Sequence, residues 1–203
     1  APSIDSVSIA PDPAVAVDTL TCSYSGYSDA DADADASTYE WDVDGTVVGT
    51  DSTLEGAFVG GQISTCTVTP FDGTDAGLAL SASVTIDNTA PVLDAVTLSP
   101  DPAYEGDTLI CTPGTATDED GSSVSYSYVW LVDGVDPGAT GSTLSSTYFN
   151  RDQPVQCTVT PSDGTDDGDS VASNTVTISN TAPSITSVTI APASPSVSDE
   201  LSC

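Results

Sequence analysis

Acidic side chains are the only abundant groups in this sequence that could do chemistry. The chain of 203 residues contains 31 Asp and Glu, a single basic side chain, Arg151, and no His, which gives a formal net charge of −30. Without His or Lys, no Ser-His-Asp, Cys-His or Ser-Lys arrangement and no Schiff-base lysine is available. Paired carboxylates could serve glycoside hydrolysis, but Asp is so frequent here that any pair is uninformative. The sequence therefore predicts a protein that is not an enzyme, and its anionic surface disfavours nucleic acid as a partner.

The acidic residues are concentrated in short runs. One run contains Asp29, Asp31, Asp33 and Asp35, and a second contains Asp118, Glu119 and Asp120. Carboxylate oxygens are the ligands that Ca²⁺ prefers, but neither run has the spacing of an EF-hand loop. Asp-rich runs and Asp-Gly pairs are also ordinary turn chemistry in solvated loops. A calcium site and unspecific surface acidity both remain open at this point.

The chain repeats itself with a period of about 90 residues, which indicates an array of small domains. DTLTC at 18–22 matches DTLIC at 107–111, and CTVTPFDGTDAG at 66–77 matches CTVTPSDGTDDG at 157–168. The first repeat covers residues 1–89 and the second covers residues 90–181. Residues 182–203 are expected to form the first two strands of a third, incomplete repeat, which ends at the equivalent of Cys22 and Cys111. We therefore expect the chain to be a segment of a longer array.

Apolar residues alternate with polar ones along the repeats, which predicts strands rather than helices. Tyr39, Trp41 and Val43 alternate in this way in the first repeat, as do Trp130 and Val132 in the second. Clusters of Gly, Pro, Asp and Asn separate the runs at the spacing of a β-sandwich. No run of 18 apolar residues is present, so the sequence shows no transmembrane helix.

Each full repeat contains a Cys, then a Trp 19 residues later, then a second Cys. This order resembles an immunoglobulin-like sandwich, in which the Cys lie on strands B and F and the Trp lies on strand C. The resemblance implies disulfides Cys22–Cys66 and Cys111–Cys157, and it leaves Cys203 to pair with a residue beyond this chain. Each bond would close a loop of about 45 residues and contribute about 4 kcal/mol. Metal binding by the Cys is the weaker alternative, because the sequence has no CxxC and no His.

Further motifs are similar to the tandem immunoglobulin-like, PKD-like and cadherin-like repeats of bacterial and archaeal secreted surface proteins. They are YVWLVDG at 128–134, VTPSDG at 159–164 and NTAP at 180–183. One departure is that Ser64 and Val155 stand where immunoglobulin domains usually have Tyr, two residues before the second Cys. The resemblance implies an all-β chain of tandem immunoglobulin-like β-sandwich domains, each with one intradomain disulfide. Such disulfides imply an extracellular or cell-surface location.

The resemblance also implies where the acidic loops lie. In an immunoglobulin-like sandwich the B–C and F–G loops share one end of the domain with the incoming linker. Carboxylates and carbonyls would then meet at a domain junction and form a possible Ca²⁺ site. The expected ligands at the junction are Asp87, Asn88, Asp118, Glu119, Asp120, Asp163 and Asp166. A second set of expected ligands lies in the first repeat and consists of Asp29, Asp31, Asp33 and Asp35. This second set is expected near Asp72 and Asp75 of the F–G loop. The alternative is general acidity that keeps the protein soluble or adapts it to salt.

The expected role is structural. Short Asn-Thr-Ala-Pro linkers, in which Pro fixes φ, favour a near-constant relation between successive domains. We expect a segment of an extracellular filament, surface layer or adhesin stalk, with neighbouring repeats or identical subunits as partners. The alternative is a spacer or carbohydrate-binding module of a secreted multidomain enzyme, which would need exposed aromatic residues on one face.

Overall fold

The computed structural model describes residues 1–203 without a gap, and its regular secondary structure consists almost entirely of β-strands. Its one helical element is a 3-10 turn at Ser146–Tyr148. Two β-sandwiches follow one another along the chain, each around its own buried core. No helix in the structure is long and apolar enough to cross a membrane.

The first sandwich consists of two antiparallel sheets to which a short parallel strand is added. Its strands are β1 (Ser6–Ala10), β2 (Ala14–Val15), β3 (Leu20–Ser25), β4 (Thr38–Val43), β5 (Thr46–Gly49), β6 (Thr53–Leu54), β7 (Ile63–Thr69) and β8 (Leu80–Asp87). One sheet has the order β1-β3-β6, and the other has the order β2-β8-β7-β4-β5. In immunoglobulin nomenclature β3, β4, β7 and β8 are strands B, C, F and G.

The second sandwich repeats this arrangement. Its strands are β9 (Val92–Leu93), β10 (Val96–Ser99), β11 (Ala103–Tyr104), β12 (Leu109–Pro113), β13 (Ala116–Thr117), β14 (Ser125–Val132), β15 (Thr143–Leu144), β16 (Pro154–Ser162), β17 (Val171–Ala172) and β18 (Val176–Ser179). The sheets have the orders β10-β12-β15 and β11-β18-β16-β14, with β17 paired to β16 and β9 paired to β13. The predicted fold class is thereby confirmed.

Each core is built around a Trp and a disulfide. Trp41 lies opposite Cys66 in the register of β4 and β7, and Trp130 lies opposite Cys157 in that of β14 and β16. Both indoles are fully buried, and each Nε1–H donates to a backbone carbonyl, at 3.0 Å for Asp51 and 2.8 Å for Gly141.

Both predicted disulfides are present. The bonds Cys22–Cys66 and Cys111–Cys157 join residues separated by 44 and 46 positions. Such bonds persist in oxidising compartments, so they fit an extracellular location. The two positions that depart from the immunoglobulin pattern, Ser64 and Val155, are fully buried in these cores.

Residues 182–203 repeat the local geometry with which each sandwich begins. Ala191 and Ser202 exchange two backbone hydrogen bonds of 3.0 Å, in the register of the pairs Ala10–Thr21 and Ser99–Ile110. The turn between them is held by Asp199, whose carboxylate accepts from the amide of Ser196 at 2.6 Å. Asp18 and Asp107 accept in the same way from Val15 and Tyr104. Cys203 and the apolar side chains of this segment are exposed.

Candidate functional site

The acidic loops of the first sandwich meet at the end where the N-terminal segment passes. Ser3 and Ser28 exchange two backbone hydrogen bonds of 2.9 Å, which join this segment to the loop between β3 and β4, the B–C loop. The amide of Ala36 in that loop donates to the carbonyl of Phe71 at 2.8 Å, at the start of the F–G loop. The two loops are therefore tied together directly by backbone hydrogen bonds.

One Asp organises each B–C loop and uses only one of its carboxylate oxygens to do so. In the first sandwich, Asp29 Oδ1 accepts from the amides of Asp31 at 2.9 Å and Asp33 at 3.4 Å. In the second, Asp118 Oδ1 accepts from the amides of Asp120 at 3.0 Å and Ser122 at 2.9 Å. Asp favours such turns because its short side chain reaches the backbone two residues on.

A second Asp organises each F–G loop in the same manner. Asp72 Oδ1 accepts from the amides of Thr74 at 2.8 Å and Asp75 at 2.7 Å. Asp163 Oδ1 accepts from those of Thr165 at 2.6 Å and Asp166 at 2.8 Å. The hydrogen bonds from Asp75 and then Thr74 lower the pKa of the Asp72 carboxyl, because they stabilise its charged form.

Asp29, Asp33 and Asp72 form what we call the first corner. One carboxylate oxygen from each lies within 4.8 Å of the others, so the group could hold a metal ion. The Asp29 side chain is only 1% exposed, and its Oδ2 is buried without a hydrogen-bond partner. The N-terminal amine lies 4.0 Å from this oxygen, too far for a hydrogen bond.

Asp118, Asp120, Asp163 and Asp166 form the second corner, which receives groups from the first sandwich. Asp120 accepts from two backbone amides, that of Gly60 at 2.5 Å and that of Thr89 at 2.7 Å. The Asn88 side-chain amide donates to Asp163 Oδ2 at 2.8 Å and to Asp166 Oδ2 at 2.9 Å. These four hydrogen bonds, each with an ionised acceptor, connect the two sandwiches.

The electrostatics of the second corner follow from these donors. The Asn88 amide is the largest of the effects that lower the pKa of the Asp163 carboxyl, followed by the amides of Asp166 and Thr165. Two oxygens of this region, Asp118 Oδ2 and Thr89 Oγ1, are buried without a hydrogen-bond partner. The first sandwich therefore donates hydrogen bonds to the second corner, but it leaves these two buried oxygens without a partner.

Gly60 fits the junction because it has no side chain. A Cβ at this position would lie 2.8 Å from Asp120 Oδ2 and 2.9 Å from the Cα of Asn88, closer than such atoms approach in proteins. The equivalent position of the second sandwich is occupied by Arg151, the only basic side chain of the chain. Its Nη1 donates to Asn180 Oδ1 at 3.2 Å, beside the next Asn-Thr-Ala-Pro linker.

The structure brings some of the predicted ligands together and separates others. Asp29 and Asp33 meet Asp72 in the first corner, and Asn88 meets Asp163 and Asp166 in the second. Four predicted ligands lie apart from these groups. Asp31, Asp87 and Glu119 are exposed without such contacts, and Asp35 binds the Tyr24 hydroxyl at 2.9 Å and the Ser37 hydroxyl at 2.6 Å.

Two residues of the junction were not predicted from the sequence. Thr89 belongs to the repeated Asn-Thr-Ala-Pro motif, which could have drawn attention to it. Gly60 contributes only a backbone amide, which leaves no signal in a sequence. Calcium binding by either set of carboxylates stays a prediction.

No protein-family model and no curated protein sequence matches this chain. Among solved structures, a segment of two fibronectin type III domains from chicken tenascin is similar with a TM-score of 0.46 at 7% identity, covering 86% of this chain and 98% of that one. The FN1–FN3 domains of chicken CNTN1 are similar with a TM-score of 0.35 at 10% identity, covering 87% of this chain and 67% of that one. At these scores the similarities add nothing to what the strand order shows.

Proposed function

We propose that the chain is a non-catalytic structural segment of an extracellular filament, surface layer or adhesin stalk. In this arrangement each sandwich binds, through hydrogen bonds, the linker that connects it to the preceding sandwich. The observation that carries the proposal is the set of hydrogen bonds from Gly60, Asn88 and Thr89 to the second corner. Its partners are neighbouring repeats or identical subunits.

The junction supports this role because it restrains the domains at several points. The linker is short and contains Pro91, which limits its backbone freedom. Asp120 binds both the linker, through Thr89, and the body of the first sandwich, through Gly60. Hydrogen bonds to a charged acceptor contribute about 1.5–3 kcal/mol each, enough to hold one orientation between two domains.

Calcium is part of the proposal. The side-chain ligands that the first corner offers are all carboxylate oxygens, which are the donor set that Ca²⁺ prefers. The net charge of −30 must be balanced by ions from the solvent, because the chain has one basic side chain. A bound divalent ion would remove part of the repulsion within an acidic array.

The junction is tested by replacing Asp120. Asp120→Ala removes the acceptors of Gly60 and Thr89, so we expect small-angle scattering to show a wider range of distances between the sandwiches. Asp136→Ala is the matched control, because Asp136 also accepts a backbone amide, from Gly138 at 2.7 Å, but lies in another loop of the same sandwich. An unchanged scattering profile for Asp120→Ala, with both sandwiches folded, would contradict a junction that restrains the two domains.

The cellular role has its own test. Electron microscopy of producing cells labelled with an antibody against this segment should show label on filaments or on the cell envelope. Label found only on protein free in the medium would favour the alternative, a spacer in a secreted enzyme.

One surface that the carbohydrate-binding alternative could use is a shallow groove beside β3 that is lined by tyrosines. Tyr24 and Tyr39 lie there with ring centroids 5.8 Å apart, but their planes are tilted by 54°. Both rings are half-buried against the core, and the Tyr24 hydroxyl is already bonded to Asp35. They do not form the flat exposed platform on which a sugar ring stacks.

A further inference from the structure

The two corners are built on the same plan but differ in what reaches them. The linker and Gly60 supply four hydrogen bonds from three donor groups to the second corner. No such donor reaches the first corner, where the nearest positive group is the N-terminal amine at 4.0 Å. Asp33 stands where the second sandwich has Ser122, so the first corner has a carboxylate at a position where the second has a hydroxyl.

The buried oxygen of Asp29 has no hydrogen-bond partner, and its one ion-pair contact is the N-terminal amine at 4.0 Å. Its side chain is 1% exposed, and Oδ2 makes no hydrogen bond. Burying a carboxylate oxygen without a donor or a cation is costly, and folded proteins seldom leave such an atom unpaired. Because Asp29 Oδ1 is used by the amides of Asp31 and Asp33, Oδ2 is the atom left for a ligand.

The spacing of the three carboxylates suits a large divalent cation. Ca²⁺ binds oxygen at about 2.3–2.6 Å, so two of its ligands can lie up to about 5 Å apart. The oxygens of Asp29, Asp33 and Asp72 lie within 4.8 Å of one another, which is compatible with a common Ca²⁺. Mg²⁺ binds at about 2.0–2.1 Å and fits this spread less well. The group has no nitrogen or sulfur ligand of the kind that zinc favours.

We propose that the first corner binds one Ca²⁺ through Asp29 Oδ2, Asp33 and Asp72, and that the second corner does not. Asp118 Oδ2 of the second corner is also buried without a hydrogen-bond partner, but the Asn88 amide occupies Asp163 and Asp166, and no three carboxylates converge there as they do in the first corner. For its extracellular setting this site rests on the proposed function. The ion joins the B–C loop to the F–G loop, and water completes its coordination. Asp33, which is exposed, is drawn against the buried carboxylate of Asp29.

Calorimetric titration with CaCl₂ tests the site in the whole 203-residue chain. Asp33→Ser gives the first corner the residue found at the equivalent position of the second, and Asp101→Ser is an exposed control that removes the same charge from another loop. We expect one saturable site in the unmodified chain and in Asp101→Ser, and at least tenfold weaker binding in Asp33→Ser. Equal binding in all three proteins, or no saturable binding in the unmodified chain, would overturn the proposal.

Terbium luminescence excited through tyrosine provides a readout at the site itself. Tyr27 lies beside the site, because its hydroxyl donates to the carbonyl of Phe71, the residue before Asp72, at 3.4 Å. We expect Tb³⁺ emission that Ca²⁺ displaces in the unmodified chain and in Asp101→Ser, and emission that is largely lost in Asp33→Ser. Emission that Asp33→Ser leaves unchanged would place the ion elsewhere and overturn the proposal.

The site and the junction fail independently of each other. Asp120→Ala should retain the calcium site while it loosens the domains. If the unmodified chain binds no calcium but Asp120→Ala widens the range of distances between the sandwiches, the calcium site is overturned and the hydrogen-bonded junction is not. If the unmodified chain binds calcium but Asp120→Ala leaves the scattering profile unchanged, the calcium site is supported and the junction is contradicted.

Discussion

At the scale of single residues, the junction depends on groups that carry no charge of their own. Gly60 offers a backbone amide and Asn88 offers a side-chain amide, and both donate to carboxylates of the next sandwich. Amides can do this because hydrogen bonds to an ionised acceptor are stronger than neutral ones. An acidic surface is thereby held against a neighbour without any basic side chain.

Gly60→Ala should loosen the junction without unfolding either sandwich. The new methyl group would lie under 3 Å from Asp120 Oδ2 and from the Cα of Asn88, so the domains must separate locally. Gly106→Ala is a suitable control, because a Cβ there meets nothing within 4 Å and its φ is not positive. Residual dipolar couplings should show a changed domain orientation for the first variant only. If Gly60→Ala keeps the domain orientation of the unmodified chain, as Gly106→Ala is expected to do, Gly60 is not in close contact with the second sandwich.

Acid should release the linker through Asp163. The Asn88 amide is the largest cause that lowers the pKa of the Asp163 carboxyl. Asp163 therefore stabilises the docked state above the pKa that it has in the undocked sandwich, which the loop amides of Asp166 and Thr165 hold below the usual value of about 3.9. That contribution is lost as the pH falls through the lower, docked-state pKa. Scattering profiles recorded from pH 7 to pH 2 should therefore change only below about pH 4.

Asn88→Ala is the control for this acid transition. It removes the principal cause of the lowered pKa of Asp163, so the domains should already be loosened at pH 7 and change less on acidification. A transition of unchanged size in Asn88→Ala would assign the effect to other carboxylates.

At the scale of the strands, the core of each sandwich joins one Trp to one disulfide. The pairing of β4 with β7 places Trp41 opposite Cys66, and that of β14 with β16 places Trp130 opposite Cys157. Each disulfide also connects the two sheets, because Cys22 lies on β3 and Cys66 lies on β7. Loss of a disulfide should therefore weaken one sandwich as a unit.

Removing the first disulfide should destabilise the first sandwich by about 4 kcal/mol, the chain-entropy value for a loop of this length. The double variant Cys22→Ala and Cys66→Ala should show two denaturant transitions, with only the earlier one displaced from its position in the unmodified chain. The matched pair Cys111→Ala and Cys157→Ala should displace the other transition. A single transition displaced equally by both pairs would show that the sandwiches unfold together.

The strands and disulfides could be predicted because they leave periodic signals. Tyr39, Trp41 and Val43 alternate with polar residues, and the order Cys22, Trp41, Cys66 recurs in the second repeat. The acidic loops could be placed only approximately. Which carboxylates converge depends on loop backbone geometry, so Asp72 joins Asp29 and Asp33 while Asp35 turns to Tyr24. The amide of Gly60 could not be predicted, because every residue except Pro carries one.

At the scale of the whole molecule, charge and repetition act together. A net charge of −30 makes neighbouring copies of this chain repel one another, since like-charged surfaces repel. Order between neighbours then depends on specific docking at the ends. Here that docking is concentrated at the second corner, and Ala191 and Ser202 repeat the backbone pairing with which each sandwich begins. Under the proposed function, a corner of this kind would connect successive units of an array.

The disulfides also limit how far each sandwich can be stretched. Tension passing along an array would reach a sandwich at its first strand and leave it at its last. The residues between Cys22 and Cys66, and between Cys111 and Cys157, are bypassed as long as the sulfurs stay bonded. Reduction would release segments spanning 44 and 46 positions, each adding about 150 Å of contour length. Single-molecule pulling should show short unfolding steps under oxidising conditions and steps longer by this amount after reduction, so the redox state of the surroundings would set the extensibility of each sandwich.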